Sequence, residues 1–462
     1  MKKLRLRLTG RADNPIGPHD CIWSMHGSIG QTYYGSDWSD FIAMAPSEVV
    51  NPYYLVKFAA PNPATGINPS ARNELQLAEL THRIICHTKG APDSGLEVAK
   101  GQDMMTVLDN AGIAPWGVAI GNEYDLGYND GAVFASRTKT FWQWMESNFP
   151  SVKRLTNAFG AWPRPRIYLP YFDADTKALC DGVLVHSYTY TPRIHQRYGG
   201  HHQIRATMGW AHNDDTKFVI NGETSMGFVD HPPGIPRIDE NIRAAYLCAN
   251  LLMHASVGVP HCYFNFMDEP WMLDPPVGGD PYDAEGLLDR NGVKRQSYLV
   301  YENIFARVAG DLYHLNAGDS LAPIQAGLFK EEVNSDGEVP IHLVVANAPA
   351  QDGNDDRTII IKHCTGGAPY PDTAPEEFKA QGDEQKAATD SYRDDSTLVS
   401  LPQELLKARI TYRWKFGYQS EPTSDELGNI IMPPYSAIIV SGLLPVADFD
   451  LLTKNYYATD SA

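Results

Sequence analysis

Two apolar runs in this chain end on an acid. GVAIGNEYDLG, beginning at Gly117, presents Asn122 and Glu123 side by side, and FVINGETS, beginning at Phe218, presents Glu223. A strand built for burial that closes on a carboxylate sets that group over whatever lies at the strand's end. Two such carboxylates on different strands can face each other across a cleft. Cleavage of a glycosidic bond needs that pair: one carboxylic acid protonates the leaving oxygen while the other carboxylate attacks the anomeric carbon, with the carboxyls about 5 to 5.5 Å apart when configuration is retained. Their surroundings must push the two pKa values apart.

The spacing of the pair fits one architecture. A barrel of eight strand and helix units over roughly 250 residues spends about 31 residues on each unit. If Glu123 ends the fourth strand, the seventh should end roughly 94 residues later. Glu223 comes 100 residues later, the difference between 223 and 123. HCYFNFMDEPW, from His261, then supplies an eighth strand. Active sites of such barrels lie at the C-terminal ends of the strands, where both acids fall.

Stepping through the chain, short apolar runs alternate with longer amphipathic ones up to about residue 310, the pattern of a parallel sheet wrapped by helices. The strand candidates are Leu4 to Leu8, Tyr53 to Phe58, Trp116 to Ile120, Arg154 to Phe159, Gly182 to His186, Lys217 to Asn221 and His261 to Phe266. Helices are expected at Gly95 to Asn110, Ser136 to Ser147, Ile238 to Ser256 and Gln296 to Val308, the third capped by Asp239. In the first 50 residues KLRLRLTGR reads as barrel strand one or two and HDCIWSM as another, while WSMHGSIGQTYYGSDWSDF reads as loop, so the barrel is expected to be irregular at its start. After residue 310 the runs IHLVVANA, RTIIIKHC, ARITYRWKFG and YSAIIVSG, rich in β-branched and aromatic residues, indicate an all-β sandwich. Residues 366–396, dense in Asp, Glu, Pro, Gly and Ala, read as a long surface loop. The expected organisation is thus a (β/α)8 TIM barrel over residues 1–310 and a β-sandwich over 311–462.

Composition excludes several partners. A formal net charge of −18 in 462 residues opposes nucleic acid, whose binders neutralise phosphates with Lys and Arg. A hydrophobic fraction of 43% and an aromatic fraction of 11% suffice for a large core with aromatics left to line a cleft. No window approaches the roughly 18 unbroken apolar residues of a membrane span, and no apolar block follows the basic start MKKLRLRLTGR. The expected location is cytoplasmic, or secreted with a signal peptide already removed. The six cysteines show no C-x-x-C pair and read mostly as buried thiols.

Three segments together carry a resemblance. IGNEYD resembles the strand-four signature of the clan A glycoside hydrolases, VINGETS their strand-seven nucleophile segment and VLVHSYTY their strand six, and the likeness spans about residues 45 to 270. It implies a retaining mechanism without metal or organic cofactor, Glu123 as general acid/base and Glu223 as nucleophile. Asn122 would bond the sugar hydroxyl next to the reacting carbon. His186 or Tyr188 would hold the nucleophile, with Tyr188 favoured, and Trp271 would offer a face to a sugar ring. The GNE form and the ending PPYSAIIVSG are most similar to the arabinofuranosidase, xylosidase and glucuronidase families, and the expected partner is an oligosaccharide or polysaccharide. Arg11 and Trp23 are further contacts suggested by location alone, and a neighbour's loops could complete the rim in an oligomer.

Each residue also has a purely structural reading. A Glu after a strand can neighbour a helix cap, His186 can be a satisfied core histidine, and Tyr188, Tyr190 and Trp271 can simply pack. His195, His201 and His202 lack a carboxylate at ligand spacing and read as a polar loop. Asp268 and Glu269 compete for a role after the eighth strand. Two rival functions remain: a carbohydrate-binding protein on a glycosidase scaffold, and a barrel hydrolase of metal-dependent chemistry.

Overall fold

A computed structural model describes residues 2–5, 7–11, 24–29, 53–58, 62–67, 69–80, 83–88, 98–127, 130–160, 164–186, 200–211, 214–224, 240–257, 259–263, 286–288, 293–307, 311–316, 324–348, 397–400, 405, 409–416 and 429–457. In chain order the strands are β1 (Lys2–Arg5), β2 (Arg7–Arg11), β3 (Ser24–Ile29), β4 (Tyr53–Phe58), β5 (Arg83–Thr88), β6 (Gly117–Ala119), β7 (Lys153–Arg154), β8 (Gly182–His186), β9 (Phe218–Thr224) and β10 (His261–Tyr263). They continue with β11 (Asp311–Asn316), β12 (Ile324–Lys330), β13 (Glu338–Asn347), β14 (Thr397–Ser400), β15 (Arg409–Phe416), β16 (Asn429–Met432) and β17 (Ser436–Pro445).

Eight of these strands, β3 to β10, form one parallel sheet in the order β7-β6-β5-β4-β3-β10-β9-β8. Its two edges meet. Bridges join Leu155 to Gly182 and Phe159 to Val185, and the Thr156 N–H donates to the Gly182 carbonyl at 3.0 Å, so the sheet returns on itself. Side chains alternate across it with period two. Leu55, Ile85, Ala119, Leu155, Leu184, Ile220 and Cys262 make the interior cluster, while Val56, Cys86, Val118, Val183 and Val219 face the helices outside.

The surrounding helices include Pro69–Glu79, Val98–Asn110, Gly131–Asn148, Gly200–Met208, Glu240–Val257 and Gln296–Arg307. Asp130 starts the third of these, its carboxylate accepting from the Ala132 and Val133 N–H groups, and Trp142 anchors it by donating to the Leu155 carbonyl at 3.2 Å. The second helix approaches the sheet through Gly101. A Cβ there would lie 2.4 Å from Ile120 Cγ2 and 2.7 Å from Phe141 Cε2, both fixed in the core. Gly101→Ala is therefore expected to cost about 1 to 3 kcal/mol by overpacking, despite alanine's better helix propensity. A lowered urea midpoint at unchanged slope would register the cost.

The remaining strands form a six-stranded sheet, β15-β17-β13-β12-β11-β2, and a three-stranded sheet, β1-β14-β16. Along β13, Val344 and Ala346 point into the same cluster as the helices of the parallel sheet, and Leu343 and Val345 point the other way. The second face meets Ile430 and Met432 of β16 and Phe449 and Leu452 of the helix Val446–Tyr457.

Several expectations held: β4 and β8 fall on the predicted bounds, and all but the last residue of the run IHLVVANA lies within β13. Others need correction. KLRLRLTGR is not a strand of the parallel sheet; β1 pairs with β14 and β2 with β11. Parallel strands covered on both sides read as continuous apolar runs, and KLRLRLTGR alternates instead. The segment around Ser24–Ile29, read as loop, is the first parallel strand, and Arg83–Thr88 is a further strand that was not anticipated. RTIIIKHC, the stretch 366–396 and Asp239 lie outside the described residues. Among those described, Cys86, Cys180, Cys248 and Cys262 are buried free thiols, and no helix is long and apolar enough to cross a membrane.

Candidate active site

Counted along the parallel sheet, Glu123 follows the fourth strand, β6, and Glu223 lies in the seventh, β9. The backbone holds Glu123 in an uncommon state, with φ at 52°. A non-glycine residue there costs of order 1 to 3 kcal/mol and persists only where its neighbours over-determine it. They do so here. The Glu123 N–H donates to the Ala158 carbonyl at 2.7 Å, the Tyr124 N–H to Asn157 Oδ1 at 3.2 Å, and the Gly121 N–H to Thr88 Oγ1 at 2.8 Å.

Glu223 reaches the same place by a different device. Opposite β8 the register slips between Val185 and His186, so that His186 pairs with Glu223 rather than with Gly222. Gly222 leaves little room for a side chain: a Cβ would lie 3.0 Å from Leu55 Cδ2 and 3.3 Å from the His186 ring. The extra residue lets the buried Glu223 carboxylate turn toward His186.

His186 joins the two acids. Its Nδ1 hydrogen-bonds Glu123 Oε1 at 3.3 Å and lies 3.3 Å from Glu223 Oε1. The two oxygens can thus be no farther apart than twice that distance, about 6.6 Å. Exposure differs between the partners: the Glu123 side chain is 25% exposed and that of Glu223 4%. Asn122 bridges to Ala158 beside them, and its buried Oδ1 has no hydrogen-bond partner among the described residues.

Two residues not anticipated from sequence complete the site. His87, buried near the end of β5, stands edge to face against His186 with ring centroids 5.9 Å apart. Asp125 sits fully buried in the turn Tyr124–Gly127 after Glu123, both its oxygens accepting from the Gly160 N–H at 3.1 Å, with Arg164 Nε 3.7 Å away. It ties the end of the fourth strand to the end of the fifth. The signal for His87 was the barrel spacing itself, since one unit of about 31 residues before β6 falls on RIICHT. Tyr188, Trp271, Trp23, His195, Asp268 and Glu269 lie outside the described residues, and Arg11 is placed in β2 of the six-stranded sheet. His201 and His202 lie on the helix Gly200–Met208, their rings 3.7 Å apart.

Burial pushes the Asp125 carboxyl up to about 7, opposed by the Arg164 guanidinium and reinforced by Glu123. The sign of its linkage follows. A carboxyl that binds its proton more tightly when folded contributes stability that is fully present below about pH 4 and is lost as pH rises through about 7. Asp125→Asn cannot ionise, so between about pH 5 and pH 8 the wild type should lose a few kcal/mol relative to this variant. Urea unfolding of both at the two pH values measures the difference; parallel pH dependence would refute it.

In fold the chain resembles the clan A glycoside hydrolases. It aligns with a family 51 α-L-arabinofuranosidase, AbfB, from Bifidobacterium longum at TM-score 0.57 and 10% identity, over 96% of this chain and 100% of that one. A glucosidase from Croceicoccus marinus aligns at TM-score 0.56 and 11% identity, over 96% and 99%. A GH39 β-xylosidase from Caulobacter crescentus aligns at TM-score 0.53 and 12% identity, over 96% and 100%. No protein-family model matches the sequence, and no curated protein does either.

Proposed function

We propose that this protein is a retaining glycoside hydrolase that cleaves O-glycosidic bonds of an oligosaccharide or polysaccharide by double displacement. The catalytic unit is a (β/α)8 barrel ending near residue 310, and the sandwich comprises the later strands together with residues 2–11. The observation that carries the reading is His186 Nδ1 lying 3.3 Å from an oxygen of both Glu123 and Glu223. The bound of about 6.6 Å that this sets on those two oxygens accommodates the close pair of a retaining enzyme, and the choice of retention over inversion rests on the resemblance of the three strand-end segments.

In the first step Glu223 attacks the anomeric carbon while Glu123 gives its proton to the departing oxygen. In the second, Glu123 takes a proton from water, which displaces Glu223 from the same carbon and restores the original configuration. Asn122 contacts the hydroxyl beside the reacting carbon, and His186 positions both acids. Tyr188 and Trp271 are further candidates for substrate contact. The reaction draws on no metal or organic cofactor.

The test is a panel of aryl glucoside, xyloside, arabinofuranoside, galactoside and glucuronide with wild type, Glu123→Ala and Glu223→Ala. Turnover of one of them by wild type, its loss in Glu223→Ala and a lowered kcat in Glu123→Ala support the reading and name the sugar. Sugar binding without product would make this a carbohydrate-binding protein, and activity that survives both substitutions would move the site elsewhere.

A further inference from the structure

Three groups of a kind that binds metal gather at the two acids. One ring nitrogen each from His87 and His186 and one carboxylate oxygen of Glu223 lie within 4.8 Å of one another, and all three residues are buried. We propose that His87, His186 and Glu223 form a binding site for a divalent transition-metal ion of the zinc class, whose occupation takes Glu223 out of glycosyl transfer. The second half rests on the reading of Glu223 as nucleophile; the first does not.

Ligand chemistry sets the class of ion. Two imidazoles and one carboxylate are a common zinc set, completed by water or another ligand at an open fourth position. Calcium and magnesium prefer all-oxygen surroundings and are poorly served by two nitrogens. Geometry agrees for one edge. In a tetrahedral site with bonds of about 2.0 to 2.1 Å, ligand atoms stand about 3.3 to 3.4 Å apart, and His186 Nδ1 to Glu223 Oε1 is already 3.3 Å. A separation at the 4.8 Å bound must close by about 1.4 to 1.5 Å to reach that tetrahedral spacing, through side-chain torsions of His87 and Glu223.

The cleft also suits such an ion electrostatically and sterically. His186 is wholly buried, and its Nδ1 is the nitrogen turned toward Glu223. No side chain at 222 crowds that ring, which a Cβ there would approach to 3.3 Å. Glu123, partly exposed, places a further carboxyl oxygen 3.3 Å from the same Nδ1. A metal bound by Glu223 withholds the carboxylate from the anomeric carbon, so metal and substrate compete.

The experiment uses the full chain freed of metal by dialysis against chelator. Cobalt(II) is titrated in and followed by its visible d–d absorption, and zinc(II) affinity is read by its displacement of cobalt. One ion per chain is expected, with intense four-coordinate bands. His87→Ala should weaken zinc binding by more than the 10- to 100-fold that loss of an outer-shell partner costs. Glu223→Gln, nearly the same shape, should weaken it comparably and guards against a His87 variant that fails to fold. Wild type without bands, or either folded variant binding as tightly as wild type, would overturn the site. Zinc should also abolish aryl-glycoside turnover competitively, with chelator restoring it. If bands form while zinc leaves turnover unchanged or raises it, the exclusion is wrong. Bands without any glycoside turnover would sink the hydrolase reading and leave the metal site standing, whereas turnover without bands would do the reverse.

Discussion

Glu223→Ala is expected to lower turnover of the preferred aryl glycoside by at least about four orders of magnitude, because it removes the atom that forms the covalent intermediate rather than one that assists it. Azide should restore product from this variant. With the carboxylate cut back to a methyl, the small anion can enter the space it vacated and attack the anomeric carbon from the same side as Glu223 would. Only one displacement then occurs, and the glycosyl azide has inverted configuration. The position tolerates the change better than its burial suggests: the backbone of β9 is held by pairing with β8 and β10, not by the side chain. Far-ultraviolet circular dichroism checks that the variant is folded. A retained azide product, or activity within tenfold of wild type, would remove Glu223 from the nucleophile's role.

Much of the frame that carries this residue was readable as runs of residues. YYLVKF and GVLVH are short, apolar and β-branched, bounded by polar or turn-forming residues, and each is a strand where the pattern places it. The count of roughly 31 residues per unit put the two acids on the fourth and seventh strands, because eight repeated units leave little freedom in where strand ends fall. What the sequence hid were features that depend on pairing. SMHGSI is too polar and too rich in small residues to look like a strand, and its place between β4 and β10 is fixed by the sheet closing around it. The polar helix Pro69–Glu79 has Leu75 in the core and exposes Arg72 and Asn73.

The site divides in the same way. Glu123, Asn122, Glu223 and His186 stand at strand ends, and strand ends can be found from apolar runs. The slip in register that sets Glu223 against His186 cannot, since a bulge depends on which residue of the neighbouring strand is paired. Asp125 shows a second limit. An acid in a YDLG turn looks solvated, and only the fold reveals that it is buried against Gly160 and Arg164 and braces the strained turn carrying Glu123.

Glu123→Ala should behave differently from the nucleophile variant, and the difference is the stronger test of the pair. A general acid contributes about 10²- to 10⁴-fold, but the share depends on how much the leaving oxygen needs a proton. With an unactivated alkyl glycoside or a natural disaccharide the full loss is expected. With a nitrophenyl glycoside, whose leaving group departs readily as the anion, the first step should survive nearly intact while the second slows for want of a base. The glycosyl-enzyme on Glu223 then accumulates: an initial burst of nitrophenol appears, kcat falls and KM falls with it. Azide needs no base, so it should speed the second step and give a glycosyl azide of retained configuration, opposite to that from the Glu223 variant. The side chain's 25% exposure leaves an opening through which such a nucleophile can arrive. If Glu123→Ala loses the same factor on activated and unactivated substrates, with no burst, Glu123 is not transferring a proton to the leaving group, and its contact with His186 is a structural tie.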